Sequence, residues 1–157
     1  DHTLKPGENP LADVSGELFD IEMEVALGKA SEFGLRLHET AISYAGGKIN
    51  SIGRAAAAAP IDGLLSLRIL VDRTSVETFV NDGEVSLTTA FVPKNLNTGL
   101  ELYAKGAPVT IRRLRVTKLK SSWPKGAATM NREHKVIQPE QTGKLKAIRN
   151  IHVFDAS

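Results

Sequence analysis

The chain has no cysteine among its 157 residues. That excludes a disulfide framework, a thiolate metal site and a cysteine nucleophile together. It does not settle the compartment, because many bacterial secreted proteins also lack cysteine. Aromatic residues make up only 5% of the chain and the formal net charge is +2. Nucleic-acid binding relies on a concentrated basic face, usually with stacking aromatics, so no nucleic-acid partner is expected. No apolar run approaches the length of a membrane-crossing helix, and no membrane partner is expected either. The four histidines, His2, His38, His134 and His152, are scattered without ligand spacing. Ser75 has no G-x-S-x-G context, and Gly46-Gly47 precedes a strand rather than a phosphate-cradling helix. "NDGE" at 81–84 lacks the spaced acidic ligands of a calcium loop. The expectation is a protein with no metal and no cofactor.

What is present is a hydrophobic content of 41% against 24% charged residues, the balance of a globular domain with a real core. The length suits one domain. The chain begins at Asp1 without Met or a signal peptide, which reads as a fragment or a processed product.

Alternation of apolar and polar residues dominates the pattern. Residues 1–16 are rich in Pro, Gly and Asp and predict a lead-in with at most a short strand at Leu11 to Val14. "ELFDIEMEV" then places Phe19, Ile21, Met23 and Val25 on one face and Asp20, Glu22 and Glu24 on the other. "EFGLRLHE" turns Phe33, Leu35 and Leu37 inward and predicts Arg36 and His38 outward. "AISYAGGKINSI" reads as a hairpin turning at Gly46-Gly47. The alanine run 55–59 is too short to hold a helix and predicts a loop or irregular strand. In "VTIRRLRVTKL" the apolar phase slips by one at Arg112-Arg113, which reads as a β-bulge. About ten short strands between Gly, Asn and Asp turns, with no long helix, predict an all-β fold. Its form is a two-sheet antiparallel β-sandwich of jelly-roll or concanavalin-like type over residues 1–124. Residues 125–157 are more basic, lack clear alternation and are set apart as a C-terminal extension of unknown role: an added arm, a linker or cloning-derived sequence.

The most informative stretch is "LRILVDRTSVETFVNDG", Leu67 to Gly83. With Arg73-Thr74 as a two-residue turn, Val71 faces Val76, Ile69 faces Thr78 and Leu67 faces Val80. The other face then carries Asp72 against Ser75, Leu70 against Glu77 and Arg68 against Phe79. Asp72 and Glu77 are a candidate carboxylate pair for acid–base work, but hairpin register already explains their spacing.

This hairpin resembles the C-terminal β-sandwich module of glycoside hydrolase family 32, the invertases, levanases, inulinases and fructanases. Leu67, Arg68, Asp72, Arg73, Ser75, Glu77, Phe79, Asn81 and Gly83 stand where that module commonly shows its L-R-x-x-x-D-R-x-S-x-E-x-F-x-N-x-G run. "GELFDIEMEV", "FGLRL…ISY" and "LKSSWP" are similar to its early strands and its closing strand, so the likeness runs from about Leu11 to Pro124. "LHET", the alanine run and everything after Pro124 depart from it.

The resemblance implies that chemistry resides elsewhere, in an N-terminal five-bladed propeller whose W-M-N-D-P-N-like, R-D-P and E-C motifs this sequence lacks. The chain by itself is therefore not expected to be an enzyme. It implies a carbohydrate-binding or accessory module of a fructan-degrading hydrolase, secreted, periplasmic or at the cell surface. Its expected partners are β-fructan (levan or inulin) or fructose ends and a catalytic propeller. The candidate sugar-binding residues are Arg36, Tyr44, Arg68, Asp72, Glu77 and Tyr103, with His38 beside Arg36. Carboxylates and guanidinium groups hold vicinal hydroxyls, and an aromatic ring packs on the sugar C–H face. The alternative is a purely structural sandwich that stabilises the propeller without a sugar site, motivated by Leu70 and Phe79 on the nominally outer face. A lectin-like or protein-binding sandwich unrelated to fructan also stays open, because sandwich folds host many functions.

Overall fold

A computed structural model of the chain describes residues 1–95, 98–121 and the backbone of 151–155. The alternating segments form two antiparallel sheets. The larger contains β1 (His2–Leu4), β3 (Phe19–Ala26), β8 (Leu64–Val71), β9 (Ser75–Val80), β10 (Val85–Ala90) and β13 (Val109–Lys118), in the order β1-β13-β3-β8-β9-β10. The smaller contains β4 (Glu32–Leu37), β5 (Thr40–Ala45), β6 (Lys48–Ser51), β7 (Arg54–Ala57) and β12 (Glu101–Lys105), in the order β12-β4-β5-β6-β7. A two-stranded ladder joins β2 (Ser15–Gly16) to β11 (Thr98–Gly99). The backbone of β14 (Ile151–Asp155) runs parallel to β13, Ile151 opposite Leu114. The boundary expected at residue 124 falls outside the described residues, as do Trp123 and most of the extension.

The sheets pack face to face because each alternates. In β3 every second residue from Phe19 to Val25 is buried, and β8 and β9 repeat the pattern. One continuous core joins Phe19, Ile21 and Met23 to Phe33, Leu35 and Ile42 of the smaller sheet. Each such side chain contributes about 1.5–3 kcal/mol of transfer free energy. The outer faces carry mostly charged and small residues, with Leu70, Phe79 and Tyr103 as the large exceptions.

Register follows the sequence closely in the central hairpin. Leu67 opposes Val80, Ile69 opposes Thr78 and Leu70 opposes Glu77, with the Asp72 N–H donating to the Ser75 carbonyl across the turn (2.9 Å). The register shift in β13 lies between Ile111 and Arg113. Arg54 to Ala57 of the alanine-rich stretch is a strand. Gly46 and Gly47 both take positive φ, the requirement of a two-residue hairpin turn.

Two expectations are corrected. The strand of the lead-in is His2–Leu4, while Leu11 to Val14 is a turn closed by the Val14 N–H donating to the Leu11 carbonyl. His38 does not face outward: it is 1% exposed. Alternation ends at Leu37, because His38 (φ 46°) and Glu39 (φ 63°) form the two-residue turn into β5. That turn swings the imidazole under the sheet end, where Nε2 donates to the Glu17 carbonyl (3.0 Å) and Nδ1 meets Thr98 Oγ1 (3.2 Å). The ring also stacks on Phe91. Nδ1 is then an acceptor for the threonine hydroxyl, and both ring nitrogens have partners within the fold.

Candidate functional site

The six candidate residues do not converge. Arg68, Asp72 and Glu77 lie on the outer face of the larger sheet, Arg36 and Tyr103 on the outer face of the smaller one, and Tyr44 points into the core between them. A sandwich core separates the two outer faces, so no single sugar contacts all of them.

On the larger sheet's outer face, β3 presents Asp20, Glu22 and Glu24 between Arg68 of β8 and Arg113 and Arg115 of β13. Arg68 binds Asp20 bidentately, Nε to Oδ1 at 3.1 Å and Nη2 to Oδ2 at 2.8 Å. Arg113 reaches Glu24 at 3.2 Å and Glu22 at 3.9 Å, and Arg115 reaches Glu22 at 3.9 Å. This follows from register: Arg115 opposes Glu22, which opposes Arg68 across the next ladder. These exposed pairs each contribute at most about 1 kcal/mol. Their consequence for function is that Arg68 is already committed to a carboxylate.

Next to this network the face changes character. Leu70 and Phe79 are half-buried, and each borders a hollow. One hollow, about 320 Å³, is lined by Leu70, Leu18, Leu119, Asp72, Ser75 and Glu77. The other, about 310 Å³, lies between Phe79, Leu70, Ser66, Arg68, Asp82 and Gly83. Asp72 Oδ1 accepts the Arg73 N–H at 2.7 Å, fixing the turn. The Glu77 carboxylate has no hydrogen bond or ion pair among the described residues. Asp72 and Glu77 thus border one hollow and Arg68 its neighbour.

On the opposite face Tyr103 lies flat across Gly34, its antiparallel partner. Its hydroxyl donates to Glu32 Oε1 at 2.5 Å, and Lys105 Nζ donates to Glu32 Oε2 at 3.0 Å. The Arg36 guanidinium sits 4.2 Å above the ring centroid while pairing with Glu101, its cross-strand neighbour. The ring is consequently covered, with Tyr103 only 6% exposed, and it offers no open stacking platform. Tyr44 is buried as well, its hydroxyl donating to the Ala58 carbonyl at 2.8 Å. Both tyrosines are therefore unsuited to the stacking role given to them. Glu32, Gly34, Glu101 and Lys105 were not singled out from sequence, although a glycine inside an alternating strand signals a close approach.

Burial, and then the hydrogen bond to Glu32, push the Tyr103 phenol up to about 12. The same hydrogen bond, followed by that from Lys105, holds Glu32 below the usual carboxylate range. A phenol whose pKa is raised on folding contributes stability that is complete below its unfolded value near 10 and lost as pH rises through about 12. The thermal midpoint is expected to fall between those values, and the step to be missing in Tyr103→Phe. An identical alkaline profile in that variant would contradict the assignment.

Among the described residues, no group of three or more His, Asp or Glu side chains is placed to hold a metal ion. Two charged outer faces around one apolar core, with shallow hollows, define a β-sandwich module. The chain belongs to the family described as glycosyl hydrolases family 32 C terminal, whose profile matches residues 1–118. It is 33% identical over 147 residues to a levanase of Bacillus subtilis (strain 168), covering 77% of this chain and 22% of the relative. A levanase of Bacillus sp. (strain L7) is 32% identical over 164 residues, covering 88% and 18%. The chain thus spans about a fifth of the length of these curated relatives. The exo-inulinase of Aspergillus awamori superposes with a TM-score of 0.57 at 25% identity, covering 69% of this chain and 26% of that one. A sucrose-6-phosphate hydrolase of Lactobacillus gasseri shares the fold, with a TM-score of 0.51 at 19% identity.

Proposed function

We propose that this chain is a non-catalytic accessory module of a fructan-hydrolysing enzyme, and that it packs on the catalytic domain through the outer face of its larger sheet. One observation carries this reading: Leu70 and Phe79 stand half-buried beside adjoining hollows, on a face where Arg68, Arg113 and Arg115 are already paired with the carboxylates of β3. Covering such groups stabilises a contact by about 1.5–3 kcal/mol per side chain. The catalytic domain is the propeller implied by the family, and it supplies the chemistry. A polymeric fructan does not cross a membrane, so a parent enzyme acting on it works outside the cytoplasm.

A second reading, binding of β-fructan or fructose ends, rests on Glu77 and Asp72. Both border the same hollow, with the Ser75 hydroxyl between them in register. Two carboxylates and a hydroxyl suit the vicinal diols of a furanose. Arg68 is already held by Asp20, and Arg36, Tyr44 and Tyr103 are not part of this surface.

The two readings separate in one design. The chain and the catalytic region are produced as separate polypeptides and mixed, with and without levan, inulin or fructose. The packing reading expects a stable complex that Leu70→Ser with Phe79→Ser abolishes and Glu77→Ala leaves intact. Calorimetric heat with fructan, lost in Glu77→Ala, supports the sugar reading. Failure of the two polypeptides to associate sinks the packing reading.

A further inference from the structure

The two hollows beside Leu70 differ in how their charges balance. The three carboxylates of β3, Asp20, Glu22 and Glu24, are matched by Arg68, Arg113 and Arg115. The hollow bordered by Asp72 and Glu77 has a cation of its own in its lining, Lys120. The hollow at Phe79 has none to spare. Its lining holds one cation, Arg68, and one anion, Asp82. Arg68 turns Nε and Nη2 onto Asp20. The exposed Asp82 carboxylate has no hydrogen bond or ion pair among the described residues.

The loop that carries Asp82 is tied in place. The Gly83 N–H donates to the Val80 carbonyl at 3.1 Å, and the Glu84 N–H to that of Asn81 at 3.2 Å. The Asn81 N–H donates to the Ser66 carbonyl at 2.9 Å, which anchors the loop to β8. A free carboxylate is thus held at the rim of a hollow of about 310 Å³, beside a half-buried phenyl ring. A partner that sealed this hollow with Asp82 unpaired would strand a charge, and an unpaired buried carboxylate costs more than an apolar contact returns. Whatever covers Phe79 must therefore bring a cation. We infer that an arginine of the catalytic domain enters this hollow. Its guanidinium plane lies on the Phe79 ring, its N–H groups bind the Asp82 carboxylate, and its methylenes pack on Leu70. A lysine meets the charge but has neither a plane for the ring nor a fork for the carboxylate. A neutral sugar uses the ring and leaves the charge of Asp82 uncompensated. This deepens the packing reading and rests on it.

The test mixes the whole chain with the catalytic region as separate polypeptides and measures association by calorimetry. Asp82→Asn removes the charge and keeps a side chain that tolerates the positive φ of this position (56°). Phe79→Leu removes the ring face and keeps an apolar group. Thermal melting of each free variant verifies its fold. Each is expected to weaken association about tenfold. Because one guanidinium serves both, the double variant falls well short of the roughly hundredfold product. Phenylglyoxal, which modifies arginine, leaves one arginine of the catalytic region unlabelled in the wild-type complex and labels it in the Asp82→Asn complex. Wild-type affinity in Asp82→Asn overturns the arginine and leaves the packing reading standing. So does a loss in the double variant equal to the full product, or a protected lysine in place of the arginine. Heat with fructose or levan that Asp82→Asn removes assigns the hollow to a sugar, and that too overturns it. If the two polypeptides do not associate at all, the packing reading fails and this inference fails with it.

Discussion

Gly34→Ala is expected to destabilise the sandwich by about 3 kcal/mol, or about 10 °C in melting temperature, the upper range for overpacking in a domain of this size. A Cβ at that position would stand 2.6 Å from Tyr103 Oη, 2.7 Å from Cζ and 2.8 Å from the Ile42 carbonyl oxygen. Two of these atoms belong to a ring held by Glu32, Arg36 and the sheet surface, and the third is backbone. Neither can withdraw cheaply. Glycine inside a strand ordinarily weakens it, but an aromatic laid across the gap from the neighbouring strand restores the lost packing. Gly34 and Tyr103 are such a pair. The double variant Gly34→Ala/Tyr103→Ser tests the cause. It is expected to be less destabilised than the sum of its parts by about 1 kcal/mol or more, because the ring clash is gone. It should not return to wild type, because the Ile42 carbonyl remains. A Gly34→Ala protein melting within about 2 °C of wild type would show that the ring is not held where the structure puts it.

The pair also shows where a sequence stops being legible. Alternation was enough for the core strands, since each inward residue of β3, β8 and β9 is decided by local pattern alone. Turn chemistry fixed the hairpin register to the residue, and a slipped phase fixed the bulge. What alternation cannot supply is which sheet a strand joins. Arg36 and Arg68 both read as outward, correctly, yet they lie on opposite sides of the molecule because β4 and β8 enter different sheets. The candidate sugar-binding set, which joined Arg36 to Arg68, Asp72 and Glu77, therefore spanned two surfaces. The tyrosines failed for a second reason. Their hydroxyls find partners within the fold, Ala58 for Tyr44 and Glu32 for Tyr103, and long-range pairings of that kind leave no local mark. His38 failed for a third, because a turn residue with positive φ no longer obeys the two-residue period.

The second large effect is expected at Asn81, the first residue of "NDGE". Replacing it with Ala should cost about 3 kcal/mol, and the cost divides into two measurable parts. Asn81 is 7% exposed and takes φ of 50°, a left-handed conformation that asparagine tolerates and alanine resists by about 1–2 kcal/mol. Its carboxamide also joins three segments. Nδ2 donates to the Ala59 carbonyl at 2.7 Å and to Glu84 Oε2 at 3.2 Å, and Oδ1 accepts the Ser66 N–H at 3.4 Å. Losing those bonds costs about 1–3 kcal/mol. Asn81→Gly removes the amide and keeps the freedom to adopt positive φ, so its loss is the side-chain part alone, and the gap to Asn81→Ala measures the backbone part. Asn81→Asp separates a donor from an acceptor. A carboxylate cannot donate to Ala59 and is repelled by Glu84, so this variant should be at least as unstable as Ala at neutral pH. Part of the loss should return in acid, where a protonated Asp can donate to the Ala59 carbonyl. Chemical denaturation of the three variants reads all of these differences. Equal stability of the Gly and Asn proteins would show that the amide is not what ties the hairpin to Ala59 and Ser66. The residue at the head of the turn is then more than a turn former. It is a bond between the central hairpin of the larger sheet and the stretch leading out of β7 in the smaller one, and so a tie between the two sheets.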